Sequence, residues 1–199
     1  MKIRLPPPIE TSYPLYQVIL KRRSRRSWTN RAVELEKIST ILWAAQGITE
    51  HRRGFRAAPS AGATFPLETY LVVGNVLGLE QGIYHYIPHN HELELLKKGD
   101  YSKELELACL GQSWVGSAAA NIVLTAVFKR TTSYYGKRGV GYVYIEVGHA
   151  GQNIYLMAEA LDLGTVAIGA FYDEEVARII GIDINRERPL YVMPIGYPR

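Results

Sequence analysis

Residues 140–162 read VGYVYIEVGHAGQNIYLMAEALD, and their spacing decides the fold. Tyr144, Val147, Gly151, Ile154, Tyr155, Ala158 and Leu161 recur at intervals of three and four, with Gly164 just beyond. That period marks a helix with one apolar face and a glycine stop. At 1.5 Å per residue the segment would be ~34 Å long, about the width of a domain of this size. An element of that length must be packed by much of the remaining chain.

On its N-terminal side, Asn121-Ile122-Val123-Leu124-Thr125-Ala126-Val127-Phe128 is apolar enough for a strand buried on both faces. Ser102–Leu110 and Trp114–Ala120 before it read as helical. Thr69–Val73 is a β-branched and aromatic run that predicts a central strand. Ile83–Ile87 and Glu92–Leu96 form a hairpin across the turn residues Pro88–His91. Leu35, Ile38, Ile41, Leu42 and Ala45 carry the helical period up to Gly47, and Ser12 is placed to cap a short helix with Leu15, Val18 and Ile19 on one face. On the C-terminal side follow a strand over Thr165–Ala170, a helix from Asp173 to Gly181 and a strand over Leu190–Ile195. Helices and strands are intermixed but include a hairpin, which favours α+β over a doubly wound sheet.

The 199 residues, 47% hydrophobic and 21% charged, suit one domain spanning 1–199, since domains average ~150 residues. With 23 Lys+Arg against 19 Asp+Glu the net charge is only +4, so the total implies neither disorder nor a nucleic-acid tail. The lone Cys109 forbids an internal disulfide and reads as a small buried hydrophobe. The N-terminus, with prolines at 6–8, has no sustained apolar stretch before Lys21, so a cytoplasmic location is expected. The 22 uncharged residues Leu107–Phe128 carry Gln112, Ser113, Ser117 and Asn121, which argues against a membrane span. The sequence contains no G-x-G-x-x-G, no phosphate loop, no G-x-S-x-G and no H-E-x-x-H. His85, His89 and His91 are close enough to suggest a metal, but a hairpin tip with exposed histidines gives the same letters, and no metal is expected.

Positive chemistry begins at Lys21-Arg22-Arg23-Ser24-Arg25-Arg26. In an extended chain the alternation of Arg22, Ser24 and Arg26 sends two guanidiniums and a hydroxyl to one side, a donor set suited to a phosphate or an electron-rich ring edge. The same run also fits a solvated basic patch or a basic RNA-binding module. Pro59-Ser60-Ala61-Gly62-Ala63 offers backbone donors with little side-chain bulk, so a flat aromatic ligand can approach the main chain, and Gly164–Ala170 offers the same on a strand.

Together these segments resemble the nitroreductase superfamily. The resemblance rests on Arg22-Arg23-Ser24-x-Arg26, Pro59-Ser60-Ala61-Gly62, Gly148-His149-x-Gly151-Gln152-Asn153 running to Gly164, Ala167-Ile168-Gly169 and the closing Ile195-Gly196-Tyr197-Pro198, and it spans nearly the whole chain. The helix and loop motifs look most like the SagB-type dehydrogenases, which oxidise thiazolines and oxazolines in peptides. The resemblance implies an α+β nitroreductase-like fold: a central, mostly antiparallel sheet flanked by helices, with a long dimer-interface helix whose Gly148, Ala150 and Gly151 permit close contact. It further implies a homodimer with one FMN per site at the interface, passing hydride between NAD(P)H and a small-molecule or peptide substrate, with no nucleic-acid partner and no membrane.

Carried over residue by residue, Arg22, Arg23, Ser24 and Arg26 would hold the phosphate and pyrimidine edge of FMN, where a cation also tunes the ring. Pro59, Ser60, Ala61 and Gly62 would pack on the flavin from the partner, and Ala167, Ile168 and Gly169 would cover another ring region. Arg199 stands where relatives place a basic residue that reaches the phosphate. Tyr135 is the candidate for proton transfer. Tyr134 occupies the position where azoline dehydrogenases usually show lysine, and Ala63 the position where many nitroreductases show asparagine. A flavin-binding module without turnover is the alternative function.

Overall fold

In the computed structural model, which describes residues 1–199, the chain runs β1 (Lys2–Arg4), α1 (Leu15–Lys21), β2 (Val33–Glu34), α2 (Leu35–Gln46), β3 (Ile48–Glu50), β4 (Phe55–Arg56), β5 (Leu67–Val73), β6 (Val76–Leu77), β7 (Gly82–Ile87) and β8 (Glu92–Lys98). It continues through α3 (Ser102–Ala108), α4 (Ser113–Gly116), β9 (Ala120–Ala126), α5 (Phe128–Tyr135), α6 (Gly139–Ala160), β10 (Gly164–Thr165), α7 (Asp173–Ile180) and β11 (Arg188–Gly196). Seven strands form the main sheet in the order β1-β8-β7-β5-β9-β11-β10. Every neighbouring pair in it is antiparallel.

The centre of the sheet belongs to the segments best able to lose water on both sides. All seven residues of β9 are buried. Its Ala120, Ile122, Leu124 and Ala126 join the larger core beneath α2 and α6, while Val123 points into the smaller core beneath α3 and α7. β5 alternates likewise, Leu67, Leu71 and Val73 to one side and Tyr70 and Val72 to the other. The antiparallel sheet between helices, the hairpin, and the helices ending at Gln46 and Ile180 match the sequence expectation. In α7, Asp173, Glu174 and Glu175 open the helix, Arg178 lies in its last turn, and Gly181 at φ 84° closes it, in line with the helix dipole and a left-handed stop. Gly47 ends α2 for another reason: its φ is −64°, and an added Cβ would lie 2.2 Å from the Trp43 ring.

Several expectations need correction. Ser12 caps nothing; α1 starts after Pro14, whose φ of −62° suits helix entry, and only Val18 of its apolar residues is buried. Trp114–Ala120 is helical only over Ser113–Gly116, because the chain enters the sheet where the Ala119 N–H donates to the Ile195 carbonyl. The strand expected over Thr165–Ala170 stops at Thr165, since the Ala167 N–H is taken by the Tyr155 hydroxyl, and Ile168 rejoins β11 by one bridge to Val192. α5, unpredicted, follows β9 directly. On α6, Tyr144 is exposed, and Ala150 and Gly151 are buried inside the protomer, so of the three small residues only Gly148 faces outward. No helix is long and apolar enough to cross a membrane.

Candidate functional site

The basic segment leaves α1 as an extended strand-like arm. Ser24 bridges Thr165 in parallel, and the Arg25 N–H donates to the Thr165 carbonyl at 2.9 Å. Gly164 makes this docking possible, because a Cβ there would lie 2.8 Å from the Arg25 side chain and 2.9 Å from Trp28. Tyr155 of α6 then ties three segments together. Its hydroxyl accepts the Ala167 N–H at 2.8 Å and shares a 2.9 Å hydrogen bond with Ser24, while the Arg22 guanidinium lies 5.1 Å from its ring centre. Arg22, Ser24 and Ala167 therefore converge on one phenol.

Arg26 lies 5.8 Å from the ring centre of Trp114, whose carbonyl accepts the Trp28 indole N–H at 2.7 Å. The C-terminus runs alongside: Pro198 bridges Trp28, the Arg199 N–H donates to the Ser27 carbonyl at 3.2 Å, and Arg199 Nε donates to the Trp28 carbonyl at 2.6 Å. Arg199 is thus held beside the Arg26 segment. Arg23 turns back, donating to the carbonyls of Leu20 at 3.1 Å and Arg22 at 2.8 Å at the end of α1. Ile168 is buried and Gly169 exposed. None of Arg22, Arg23, Arg25, Arg26 or Arg199 pairs with a carboxylate, whereas Arg31, Arg130, Arg178 and Arg186 all do. Guanidiniums without carboxylate partners on a docked arm keep their hydrogen-bond donors available to an anion.

The Pro59–Phe65 loop forms a second centre. It carries three left-handed residues, Gly62 at φ 57°, Ala63 at 52° and Phe65 at 43°, and α5 braces it. Arg130 donates to the Phe65 carbonyl at 3.0 Å and pairs with Glu68, and the hydroxyls of Thr131 and Thr64 meet at 2.8 Å. A Cβ on Gly62 would lie 2.6 Å from the Tyr135 hydroxyl, so the phenol rests on bare backbone. Tyr135 packs edge-on against Tyr142 of α6, with ring centres 5.1 Å apart, and Arg138 donates to the Tyr142 hydroxyl at 3.0 Å. A cavity of about 520 Å³ opens against Pro59, Ser60, Gly62 and Phe65.

The two centres lie at opposite ends of α6. Tyr142 and Tyr155 stand 13 residues apart on that helix, about 20 Å at 1.5 Å per residue. One protomer therefore does not bring Arg22 and Arg26 onto its own Pro59 loop.

Sequence reasoning missed Tyr155, Tyr142, Trp114 and Glu146. Tyr155 reads as one more apolar residue on the helical stripe. Glu146 did leave a signal, an acid placed among the buried Val143, Val147 and Ala150. The histidines do not form a metal centre: His85 bonds Glu68 at 2.7 Å, His91 bonds Ser39 at 2.7 Å and Tyr86 at 2.8 Å, and His89 is exposed. No three His, Cys, Asp or Glu side chains converge anywhere in the chain. Cys109 is buried among apolar side chains, and burial pushes its thiol up to about 12.

Comparisons with known proteins place the chain by sequence and by fold. A provisionally named nitroreductase of Methanocaldococcus jannaschii is 45% identical over 98% of this chain and 96% of its own length. The Microcin B17-processing protein of Escherichia coli is 27% identical over 71% of this chain, which spans about half (54%) of that protein. Among solved structures, a provisionally assigned nitroreductase from Ralstonia eutropha superposes with a TM-score of 0.87 at 28% identity, covering 100% of this chain and 90% of the other. Another from Desulfovibrio desulfuricans, solved in complex with FMN, gives a TM-score of 0.66 at 22% identity over 94% of this chain and 88% of the other. The sequence profile described as Nitroreductase family matches residues 19–197, nine-tenths of the chain, and with this sheet, this helix order and a relative at 45% identity, the chain belongs to the nitroreductase family.

Proposed function

We propose that this chain is an FMN-dependent oxidoreductase that works as a homodimer and passes hydride between NAD(P)H and a second substrate. The observation that carries the reading is the separation of two half-sites along α6. The arginine centre at Tyr155 holds Arg22, Arg26 and Arg199 without carboxylate partners; the loop centre at Tyr142 offers bare backbone at Gly62, and its Arg130 is already paired with Glu68. Gly148 lies midway between them, and nothing in the protomer comes within 4 Å of where its Cβ would be. A two-fold axis crossing α6 near Gly148 would set one protomer's arginines against its partner's Pro59 loop. The exposed Leu15, Tyr16, Ile19 and Leu20 of α1 provide further apolar surface for such a contact.

The residues suit FMN. Arg22, Ser24, Arg26 and Arg199 are the donors for its phosphate and pyrimidine edge, with Arg23 adding charge nearby. Pro59, Ser60, Ala61 and Gly62 of the second subunit provide the bare wall, and Ala167, Ile168 and Gly169 border the Tyr155 side. When bound, FMN supplies two-electron chemistry, accepting a hydride and returning it. The protein positions the ring, excludes water and places Tyr135 as the proton donor or acceptor on the loop side.

The second substrate is read as SagB-like, a small molecule or a heterocycle-bearing peptide. Support comes from the likeness to the microcin-processing protein, whereas Tyr134 in the place of the usual lysine counts against azoline oxidation itself. Reconstitution tests the reading. Purified protein should bind added FMN, turn yellow, and bleach anaerobically on NADH or NADPH. Protein that stays colourless in excess FMN would remove the proposal.

A further inference from the structure

Three cations gather at the loop-side end of the sheet, and the proposed chemistry leaves them unused. Lys129 stands in the first turn of α5, Arg188 opens β11 and Arg186 precedes it. Together with Phe128, Tyr144 and Asn185 they line a cavity of about 790 Å³, and no acidic residue lines it. That volume lies within the range of small-molecule sites.

The local chain explains why these cations lack partners. Glu187, between two of them in sequence, turns to the opposite face of the sheet and accepts the Thr125 hydroxyl. Arg188 pairs with Ala126, the next residue of β9, whose side chain joins the core on the α6 side. Asp183 is occupied by its own turn: its Oδ1 accepts the Asn185 N–H at 3.0 Å and the Asn185 side-chain amide at 3.2 Å, and its Oδ2 stands 3.8 Å from Arg186. Lys129 and Arg188 pair with no carboxylate. At the wall, the Phe128 and Tyr144 rings meet edge-on with centres 5.5 Å apart, and Tyr144 is 55% exposed. Cations without acids beside an open aromatic pair suit a ligand that is both anionic and flat, which is the chemistry of a nucleotide.

The cavity adjoins the Pro59–Phe65 loop. The Val127 N–H donates to the Pro66 carbonyl at 2.9 Å. Leu67, Ala126 and Arg188 stand side by side on β5, β9 and β11, so Arg188 is two strand spacings, ~10 Å, from the end of the loop. α5 covers a similar distance, from Phe128 and Lys129 at the cavity to Tyr135 on the loop. Two nucleotides joined through their phosphates can bridge that gap. We propose that the cavity seats the adenine-nucleotide end of the nicotinamide donor, with its phosphates on Lys129, Arg186 and Arg188 and its purine against Phe128 and Tyr144. The chemistry recognised is phosphate on an adenosine, either the 2′-phosphate of NADPH or the pyrophosphate that NADH also carries.

The proposal rests on the reading that a nicotinamide dinucleotide is the donor, and the experiment separates the two. Calorimetry on the whole chain, as purified and after FMN addition, measures binding of 2′,5′-ADP, 5′-ADP and adenosine. At least one phosphorylated probe should bind tenfold or more tightly than adenosine. A preference for 2′,5′-ADP assigns the cavity to the 2′-phosphate, and a preference for 5′-ADP assigns it to the pyrophosphate. Arg188→Ala and Lys129→Gln lie on different elements, so loss of fold in one leaves the other to decide. Each should weaken the preferred probe about tenfold, the loss of one charge-assisted bond. In the FMN-loaded enzyme, kcat/KM for the dinucleotide is compared with that for reduced nicotinamide riboside, which has no adenylate. Their ratio should fall about tenfold in each variant. A ratio that stays at its wild-type value, or probes that bind no better than adenosine, overturns the proposal. An oligouridylate that binds more tightly than either probe and is weakened by the same variants would overturn it in favour of RNA. If the chain takes up no FMN, the flavin reading falls, and the calorimetry by itself still decides the cavity.

Discussion

Gly148 gives opposite predictions for a free helix face and for a dimer contact. In a lone protomer, a side chain at 148 meets open space, and removing a glycine from a helix interior favours the helix by ~1 kcal/mol. Gly148→Ala should then raise the melting temperature by about 2–4 °C in a protein of this length. If two α6 helices cross at this point, a bulky residue is an overpacking substitution, costing ~1–3 kcal/mol per copy. A two-fold axis counts it twice. Gly148→Phe should therefore weaken the dimer by about 2–6 kcal/mol, roughly 30-fold to 20,000-fold in dissociation constant. Sedimentation velocity over a dilution series reads the association, and flavin absorbance of the same fractions reads the site. Monomeric, colourless Gly148→Phe that keeps its far-ultraviolet circular dichroism is the expected result. A variant that sediments as a wild-type dimer and retains full flavin would refute the shared-site reasoning.

Arg22→Ala and Arg26→Ala should each weaken FMN binding by about 1–3 kcal/mol, since each removes a charge-assisted bond, and fluorescence titration checks it; retention equal to wild type in both would contradict the arginine centre. Tyr155→Phe should cost ~1–3 kcal/mol in urea unfolding, because it orphans the Ala167 N–H and unties Ser24 from α6, and it should also weaken FMN binding. Glu68, opposed by burial but bonded to His85 and Arg130, is held below the usual carboxylate range. Its stabilisation is thus present above its unfolded value near 4.5 and lost as pH falls through the lower folded one, so Glu68→Gln should flatten the fall in stability between pH 5 and 3 followed by urea titration.

The sheet could be read from the sequence because its central strands are continuous apolar runs and its hairpin has turn residues between two alternating segments. The long helix was legible from its period, but not which residues face the core. Gly148, Ala150 and Gly151 look equivalent as letters, yet Gly151 would meet Tyr191 at 3.3 Å and Gly148 meets nothing. α5 was hidden because Phe128 continues the apolar run of β9, and only the turn of the chain at Val127 separates them. The arginine run stood out by its charge, but charge alone left it open between an anion site and a solvated basic patch. Its organiser, Tyr155, was not, because a tyrosine at helical spacing carries no mark that its hydroxyl binds two other segments. Short strands such as β1 and β2 were missed because two or three residues gain their structure from long-range partners, not from local preference.

The bridge between Trp28 and Pro198 also matters at the bench. Because Ser27 and Trp28 accept bonds from Arg199, a peptide fused after that residue would emerge beside the guanidiniums and compete with any anion for them. Met1, whose carbonyl accepts the Leu95 N–H, sits along the sheet margin opposite β10. A purification handle belongs at that end, since an acidic epitope appended at the other would set carboxylates beside the guanidiniums of Arg26 and Arg199.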